Sequence, residues 1–200
     1  SADILDKKTQ GPEKEGLKNY INIIRRSTFN LNKLVTDLLT VSNYSPAVLK
    51  KCCLAETTDK ALELARDRIY LAGITVKKKY RAPKYINADE DKLKIALLNI
   101  LVNASEAMAP EEGELILSIK KKGSNFVLKI IDNGCGIEKD QLEKLFESFY
   151  TQKEGGMGVG LSSVKNILEE HEATVKVRSK PDFGTTFILN FPCYDEQEGK

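Results

Sequence analysis

The chain has 200 residues, enough for one well-buried domain with an extension or for two small domains. Its 31 lysines and arginines stand against 29 aspartates and glutamates, and a net charge of +2 is too near balance to make nucleic acid the main partner. The cysteines Cys52, Cys53, Cys135 and Cys193 lack the paired spacing of a zinc site and the density of a secreted disulfide scaffold, and no stretch approaches the ~20 apolar residues that cross a bilayer, so the expectation is a soluble, cytoplasmic piece without membrane contact of its own.

Residues 1–16 are polar and broken by Gly11-Pro12 and Gly16, and read as a loop. From Leu17 to about Asn43 the positions Leu17, Ile21, Ile24, Thr28, Leu31, Val35 and Leu38 repeat at four-three spacing and lay one apolar seam along a helix. Such a helix is roughly 40 Å long, too thinly striped to fold alone, which favours a helical bundle over a lone amphipathic helix. Tyr44-Ser45-Pro46 ends it. Thr57-Thr58-Asp59 predicts the cap of a helix running to about Ala72 and stopped by Gly73, and Ile74, Val76 and Tyr80 alternate as a strand.

Asn87 to Glu90 then reads as a capping box for a helix that buries Leu93, Leu97, Ile100, Ala104 and Ala107. Leu115, Leu117 and Ile119, then Phe126, Leu128 and Ile130, predict a hairpin through Gly123-Ser124. A short helix is expected within Glu138–Phe149, a longer one over Gly158–His171, and two closing strands around Val175-Val177 and Phe187-Leu189-Phe191. Adjacent antiparallel strands mixed with helices predict an α+β two-layer sandwich with a mixed, largely antiparallel sheet rather than a Rossmann fold. The basic runs Lys77 to Lys79 and Lys120 to Lys122 read as solvated strand faces.

Three segments carry chemistry. On the helix from Asp89 to Met108, Asn99, Asn103 and Glu106 fall at i, i+4 and i+7 and share a polar stripe, which is either a solvent face or a ligand face. An asparagine oxygen is a hard neutral ligand suited to Mg²⁺, which keeps waters and bridges to phosphates. Asp132 ends a strand and is followed by Gly134 and Gly136, which permit a tight turn and close approach to a flat ligand; a carboxylate there accepts from the exocyclic amine of adenine, while the plain alternative is an Asp-Asn-Gly turn.

Gly155-Gly156-Met157-Gly158-Val159-Gly160 leads into the apolar pattern Leu161, Val164, Ile167, Leu168, so unpaired N–H groups at the helix start can face a phosphate. The loop has no GxxxxGK[ST] arrangement, which disfavours a P-loop NTPase. Between the glycine blocks lie Phe146, Phe149, Tyr150 and Lys153; packing is the default for the phenylalanines, and Lys153 is either a phosphate contact or a plain loop lysine.

Read in order, Asn99-Ile-Leu-Val-Asn103-Ala, Asp132-Asn-Gly134-Cys-Gly136-Ile, Phe146-Glu-Ser-Phe149 and Gly156-Met-Gly158-Val-Gly160-Leu161 resemble the N, G1, F and G2 boxes of sensor histidine kinases, and Phe183-Gly184-Thr185-Thr186-Phe187 resembles their closing element. The resemblance implies a Bergerat-type ATP-binding catalytic domain over residues 54–200, preceded over residues 1–53 by part of the dimerisation and phosphotransfer hairpin. It implies Asn103 as Mg²⁺ ligand, Asn99 as a neighbouring catalytic residue, Asp132 as the adenine-recognising carboxylate, Thr185 as its support and Lys153 as a lid lysine. Phe149, Gly134, Gly136, Gly156, Gly158, Val159, Gly160 and Leu161 would shape the pocket.

ATP and Mg²⁺ are then the expected cofactors, and a response-regulator receiver domain and a second copy of the chain, joined through the long helix, the expected partners. Relatives of this fold that hydrolyse ATP commonly carry glutamate at the position of Asn99, so asparagine implies phosphotransfer over hydrolysis. The only histidine, His171, stands after the last helix in His171-Glu172-Ala173, at a family His-Gly-Gly position; packing or capping is expected of it, and the acceptor histidine is expected upstream of this chain. Two other readings remain: an ATP-controlled binding module without autophosphorylation, and a serine-directed anti-sigma-type kinase, which normally lacks the helix over 17–43.

Overall fold

The computed structural model describes residues 20, 46–81, 83–148, 150–151 and 158–194. The chain divides into two units, residues 1–44 with 153–155 and residues 45–152 with 156–200, and the fold below is that of the second. The expected helix over 17–43, its dimerisation seam, and the lid segment with Phe149, Lys153 and Gly156 lie outside the described residues.

The elements run β1 (Lys50–Cys53), α1 (Leu54–Leu64), α2 (Arg66–Leu71), β2 (Thr75–Lys79), β3 (Tyr85–Ala88), α3 (Glu90–Ala107), β4 (Glu114–Lys122), β5 (Asn125–Asp132), α4 (Lys139–Leu142), α5 (Gly160–Glu170), β6 (Thr174–Lys180) and β7 (Gly184–Pro192). Five strands form one sheet in the order β2-β4-β5-β7-β6, and β1 pairs with β3 in a separate two-stranded sheet. Only β2 with β4 is parallel; β4 with β5, β5 with β7 and β6 with β7 are antiparallel. The expected α+β sandwich with a mixed, largely antiparallel sheet is therefore the fold.

Alternation decides which sheet face is covered. Leu115, Leu117 and Ile119 of β4, Phe126, Leu128 and Ile130 of β5, and Phe187, Leu189 and Phe191 of β7 share one face by register and are all buried. Against them lie Leu93, Leu97, Ile100, Leu101 and Ala104 of α3 and Val164, Ile167 and Leu168 of α5. Truncating one of the fully buried leucines would cost about 2–5 kcal/mol. The hairpin turns at Gly123-Ser124 as expected, while Ala107, expected inside, is only half-buried.

Local signals were overridden at three points. Helix α1 starts at Leu54, ahead of the expected threonine cap, and Thr57 and Thr58 sit buried in its first turn, where their hydroxyls donate to the carbonyls of Cys53 (3.1 Å) and Leu54 (2.7 Å). The single helix expected to Ala72 breaks at Ala65 into α1 and α2, and Gly73, with φ +64°, follows as the left-handed stop. The cap of α3 is Asp89 rather than Asn87, which belongs to β3.

Asp89 joins several segments. Its Oδ1 accepts from the backbone N–H groups of Asp91 and Lys92, both at 3.2 Å, and its Oδ2 from that of Val48 at 3.1 Å. Its own N–H donates to Nε2 of His171 at 2.9 Å, and His171 Nδ1 lies 2.6 Å from the carbonyl of Ile167. The same Nε2 lies 3.3 Å from the carbonyl of Asp89, so the ring, through both nitrogens, ties the end of α5 to the start of α3. The next residue, Glu172, holds the turn at φ +53°. A glutamate thus stands in the left-handed region, which glycine occupies without steric cost.

Two outcomes follow for stability. Burial pushes the Asp89 carboxyl up, but the three backbone donors and the nearby His171 outweigh it and hold the carboxyl below its ordinary range. A lowered carboxyl stabilises the fold above the unfolded-state value and loses that contribution as pH falls through the folded-state value. Asp89→Ala should cost about 1 kcal/mol at neutral pH by chemical denaturation, and its gap to the native chain should close as pH falls below about 4. Glu172→Gly, which relieves a left-handed non-glycine, should stabilise by up to about 1 kcal/mol and raise the melting temperature.

Candidate functional site

Asp132 is the last residue of β5 and lies directly opposite Thr185, the second residue of β7. It is 4% exposed, and its Oδ1 accepts from the backbone N–H groups of Gly134 (3.0 Å) and Thr185 (3.1 Å). Both bonds end on one oxygen, which leaves Oδ2 to accept from a ligand. Burial pushes the carboxyl up, and the backbone donors of Gly134, Thr185 and Asp132 itself offset only part of that, so its pKa is raised.

Three glycines make this possible. A Cβ on Gly134 would lie 2.6 Å from the carbonyl oxygen of Ala107, at the end of α3, where Cys135 N–H already donates at 2.9 Å. Gly136, at φ +74°, would meet the carbonyl of Lys180 at 2.1 Å, and Gly184, at φ +88°, that of Asp132 itself at 2.0 Å. The loop after β5 is thus pressed onto α3 on one side and onto the β6–β7 turn on the other.

Ser179 of β6 closes the arrangement. Its hydroxyl accepts from Ile137 N–H (2.8 Å), donates to the carbonyl of Gly184 (2.9 Å) and lies 2.8 Å from Thr185 Oγ1. Since its one proton is used on Gly184, Thr185 donates to Ser179 and keeps its own lone pairs for another donor. Ser179 and Gly184 were not singled out by sequence. A serine in an alternating strand gives no signal, and Gly184 shows only as part of the closing motif. Asn133 is structural: it donates to Glu112 O (2.9 Å) and accepts from Glu114 N–H (2.7 Å).

The second half of the site lies between α3 and the start of α5. Asn99 donates through Nδ2 to the carbonyl of Gly160 at 3.3 Å, so the polar stripe of α3 does face the glycine segment. This commits the Asn99 amide nitrogen and leaves its oxygen. Asn103 is half-buried one turn further along α3, whereas Glu106 lies 4.0 Å from Arg68 of α2 and belongs to that pair. Gly158 takes φ +66°, Val159 precedes α5 with no side-chain cap on the helix, and no acidic residue stands in its first turn. Among the described residues no carboxylate caps these amides, which suits an anion. Leu161 is half-buried against the core.

The structure therefore assembles Asp132, Gly134, Gly136 and Thr185 at one locus and Asn99 with Gly160 at another, both on the helix side of the sheet. A cavity of about 340 Å³ lined by Lys50, Asn87, His171 and Phe191 is not this site. It opens at the far end of β7, where Phe191 is six residues or about 20 Å from Asp132's partner Thr185. Among the described residues no group of three or more His, Cys, Asp or Glu side chains is placed to hold a metal.

Two substitutions probe the geometry. In Asp132→Asn the new Oδ1 can keep both backbone bonds while Nδ2 replaces the outward acceptor, so binding of adenine nucleotides measured by calorimetry should weaken tenfold or more, about 1.5–3 kcal/mol. A raised carboxyl makes its charged form a cost once pH exceeds the folded-state value, so the same variant without nucleotide should melt no lower than the native chain at neutral pH. Gly184→Ala should destabilise by about 2–4 kcal/mol, because its Cβ has no room and its φ is left-handed.

Residues 88–195 match the family described as histidine kinase-, DNA gyrase B-, and HSP90-like ATPase. Sporulation kinase C of Bacillus subtilis is 30% identical over 92% of this chain and 43% of its own length. The mycobacterial sensor histidine kinase MprB superposes with a TM-score of 0.65 at 26% identity, over 73% of this chain and 98% of that one. The histidine kinase ThkA, solved in complex with the response regulator protein TrrA, shares the fold with a TM-score of 0.72 at 24% identity, over 97% of this chain and 55% of that one. The chain spans less than half the length of the curated relatives it matches. Motifs, fold and relatives agree: the chain belongs to the histidine kinase-, DNA gyrase B-, and HSP90-like ATPases and carries the catalytic ATP-binding domain of the sensor histidine kinase kind.

Proposed function

We infer that the chain binds Mg-ATP and passes its γ-phosphoryl group to a histidine on a helical hairpin, from which a response-regulator aspartate takes it. Residues 1–53 would supply part of that hairpin and join two copies of the chain; residues 54–200 would be the catalytic domain, working in the cytoplasm. The observation that carries the reading is the pairing of two ends of one site: a buried carboxylate with one oxygen committed to backbone and one left over, and an asparagine of α3 bonded to the start of an uncapped helix.

Asp132 would accept the exocyclic amine of adenine, an interaction guanine cannot make because it presents a carbonyl there. Gly134 and Gly136 would let the base lie against backbone. Thr185, its proton held by Ser179, would add a second acceptor beside the carboxylate. The first amides of α5 would hold phosphate oxygens, with Gly158 and Gly160 admitting them and Lys153 and Phe149 contributing from the lid.

The donor set fits Mg²⁺: the amide oxygens of Asn99 and Asn103 are hard and neutral, few in number, and leave room for the waters and phosphates this ion prefers. When bound, the ion supplies neutralisation of phosphate charge. What the chain itself contributes is position and electrostatics, which carry most of catalysis in phosphoryl transfer. No carboxylate occupies the place of Asn99, and Glu106 is held by Arg68, so water activation has no evident base on this stripe.

The test is incubation of a longer chain that includes the hairpin histidine with γ-labelled ATP. An acid-labile, alkali-stable label that moves on to a receiver domain supports the reading. Nucleotide binding without any such label would favour the ATP-controlled binding module instead. Asn103→Ala should lower autophosphorylation by at least tenfold while metal-free nucleotide affinity changes little, as read by calorimetry with and without Mg²⁺.

A further inference from the structure

The near-zero total charge conceals an uneven distribution. Among the described residues helices cover one face of the sheet, and the register identifies the outward positions of every strand. They are Lys77 and Lys79 on β2, Lys120 and Lys122 on β4, Lys129 on β5, and Lys176, Arg178 and Lys180 on β6. All eight are exposed. Among the described residues the only acidic side chain at an outward position of these strands is Glu114, which pairs with Lys77. The face thus carries a surplus of seven positive charges in a chain whose net charge is +2.

Lys79, Lys120, Lys122, Lys129, Lys176 and Arg178 make no salt bridge with described residues, so most of this charge has no counter-charge among them. The two basic runs of the sequence prove to be neighbours, since β2 lies beside β4. Between the cations lie Ile116, Val127, Ile131 and Ile188, half-buried or buried beneath the lysine stems. Near one corner Phe183 is 71% exposed, with the Lys180 ammonium 4.0 Å from its ring centre.

We propose that this open sheet face docks on a lipid bilayer rich in acidic phospholipids. The cations lie on four of the five strands, over a width of about 19 Å, as an area rather than a line. That suits a planar array of anions and not a single nucleic-acid backbone. No outward strand position is aromatic, so the face offers no platform for stacked bases. The exposed Phe183 beside Lys180 adds the pairing of ring and cation that favours a headgroup layer over an acidic protein surface. Asp132 and Thr185 point to the opposite, helix-covered face, so the nucleotide site stays open while the sheet is docked. The proposal stands apart from phosphotransfer and does not depend on it.

The experiment is flotation of the whole chain with vesicles of phosphatidylcholine alone and of phosphatidylcholine with about one third phosphatidylglycerol. Binding is expected to the acidic vesicles only, and should decline with added salt. The triple variant Lys120→Gln, Lys129→Gln, Lys176→Gln should bind them about a hundredfold more weakly, at about fivefold per cation. The control Lys139→Gln, Lys144→Gln, Lys165→Gln removes the same charge elsewhere and should change binding less than fivefold. Phe183→Ser should weaken vesicle binding several-fold and leave binding to heparin unchanged. Calorimetry with ATP should give equal affinity for the native chain and the first triple variant, which verifies the fold. Equal losses in the two triple variants, no preference for acidic vesicles, or tighter binding to duplex RNA or polyglutamate than to acidic vesicles at equal salt would each overturn the proposal.

Discussion

The nucleotide end of this domain depends on one carboxylate held where water scarcely reaches. Asp132 is placed by register, opposite Thr185, and is fixed by two backbone donors that arrive from different segments, Gly134 from its own loop and Thr185 from β7. Neither donor could come so near with a side chain in the way, since Cβ atoms on Gly134 or Gly184 would lie within 2.6 Å of backbone oxygens. The glycines permit a polar group to be buried at a strand end, and the hydrogen bonds reduce the penalty of burying it. Because both use one oxygen, the other keeps its capacity, and the penalty that remains is what a ligand donor can relieve.

The same economy of contact organises the far side of the domain. The His171 ring and the carboxylate of Asp89 join α5, α3 and the segment before β1, so the two helices that flank the site are tied at the ends remote from it. At the near end Asn99 donates to the carbonyl of Gly160 at 3.3 Å, a long bond. The helix pair is therefore packed along its length by Leu97, Ile100, Val164 and Leu168, clamped at one end and lightly joined at the other. That asymmetry is what a phosphate site built on a helix N-terminus requires, because a second strong clamp there would use the amides a ligand needs.

How much was legible follows from which signals are local. The β4–β5 hairpin, the core face of α3 and the strand pair β6–β7 were readable because period-two and period-3.6 patterns run over seven or more residues there. Strands β1 and β3 were not, since four residues such as Lys50–Cys53 or Tyr85–Ala88 contain no period to detect and pair only through tertiary context. Thr57 and Thr58 misled because a hydroxyl serves equally as a cap or as a bond to the carbonyl four residues back. At the site, Asp132 and its glycines were legible as a motif. Ser179 was invisible, because its role exists only where β6 and β7 bring it to Ile137, Gly184 and Thr185. The charge of the sheet face was hidden in the same way, since whole-chain charge says nothing about sides.

The central claim is that Asp132 is buried with one oxygen reserved for a nucleobase amine. Its carboxyl can be followed directly by carbon-13 NMR titration, with and without an adenine nucleotide. The account predicts a midpoint above the ordinary aspartate range in the free protein, raised by burial, and a fall in that midpoint on binding, because a donor on Oδ2 favours the charged form. A midpoint at or below the ordinary range in the free protein, or one that adenine nucleotide does not move, would contradict it.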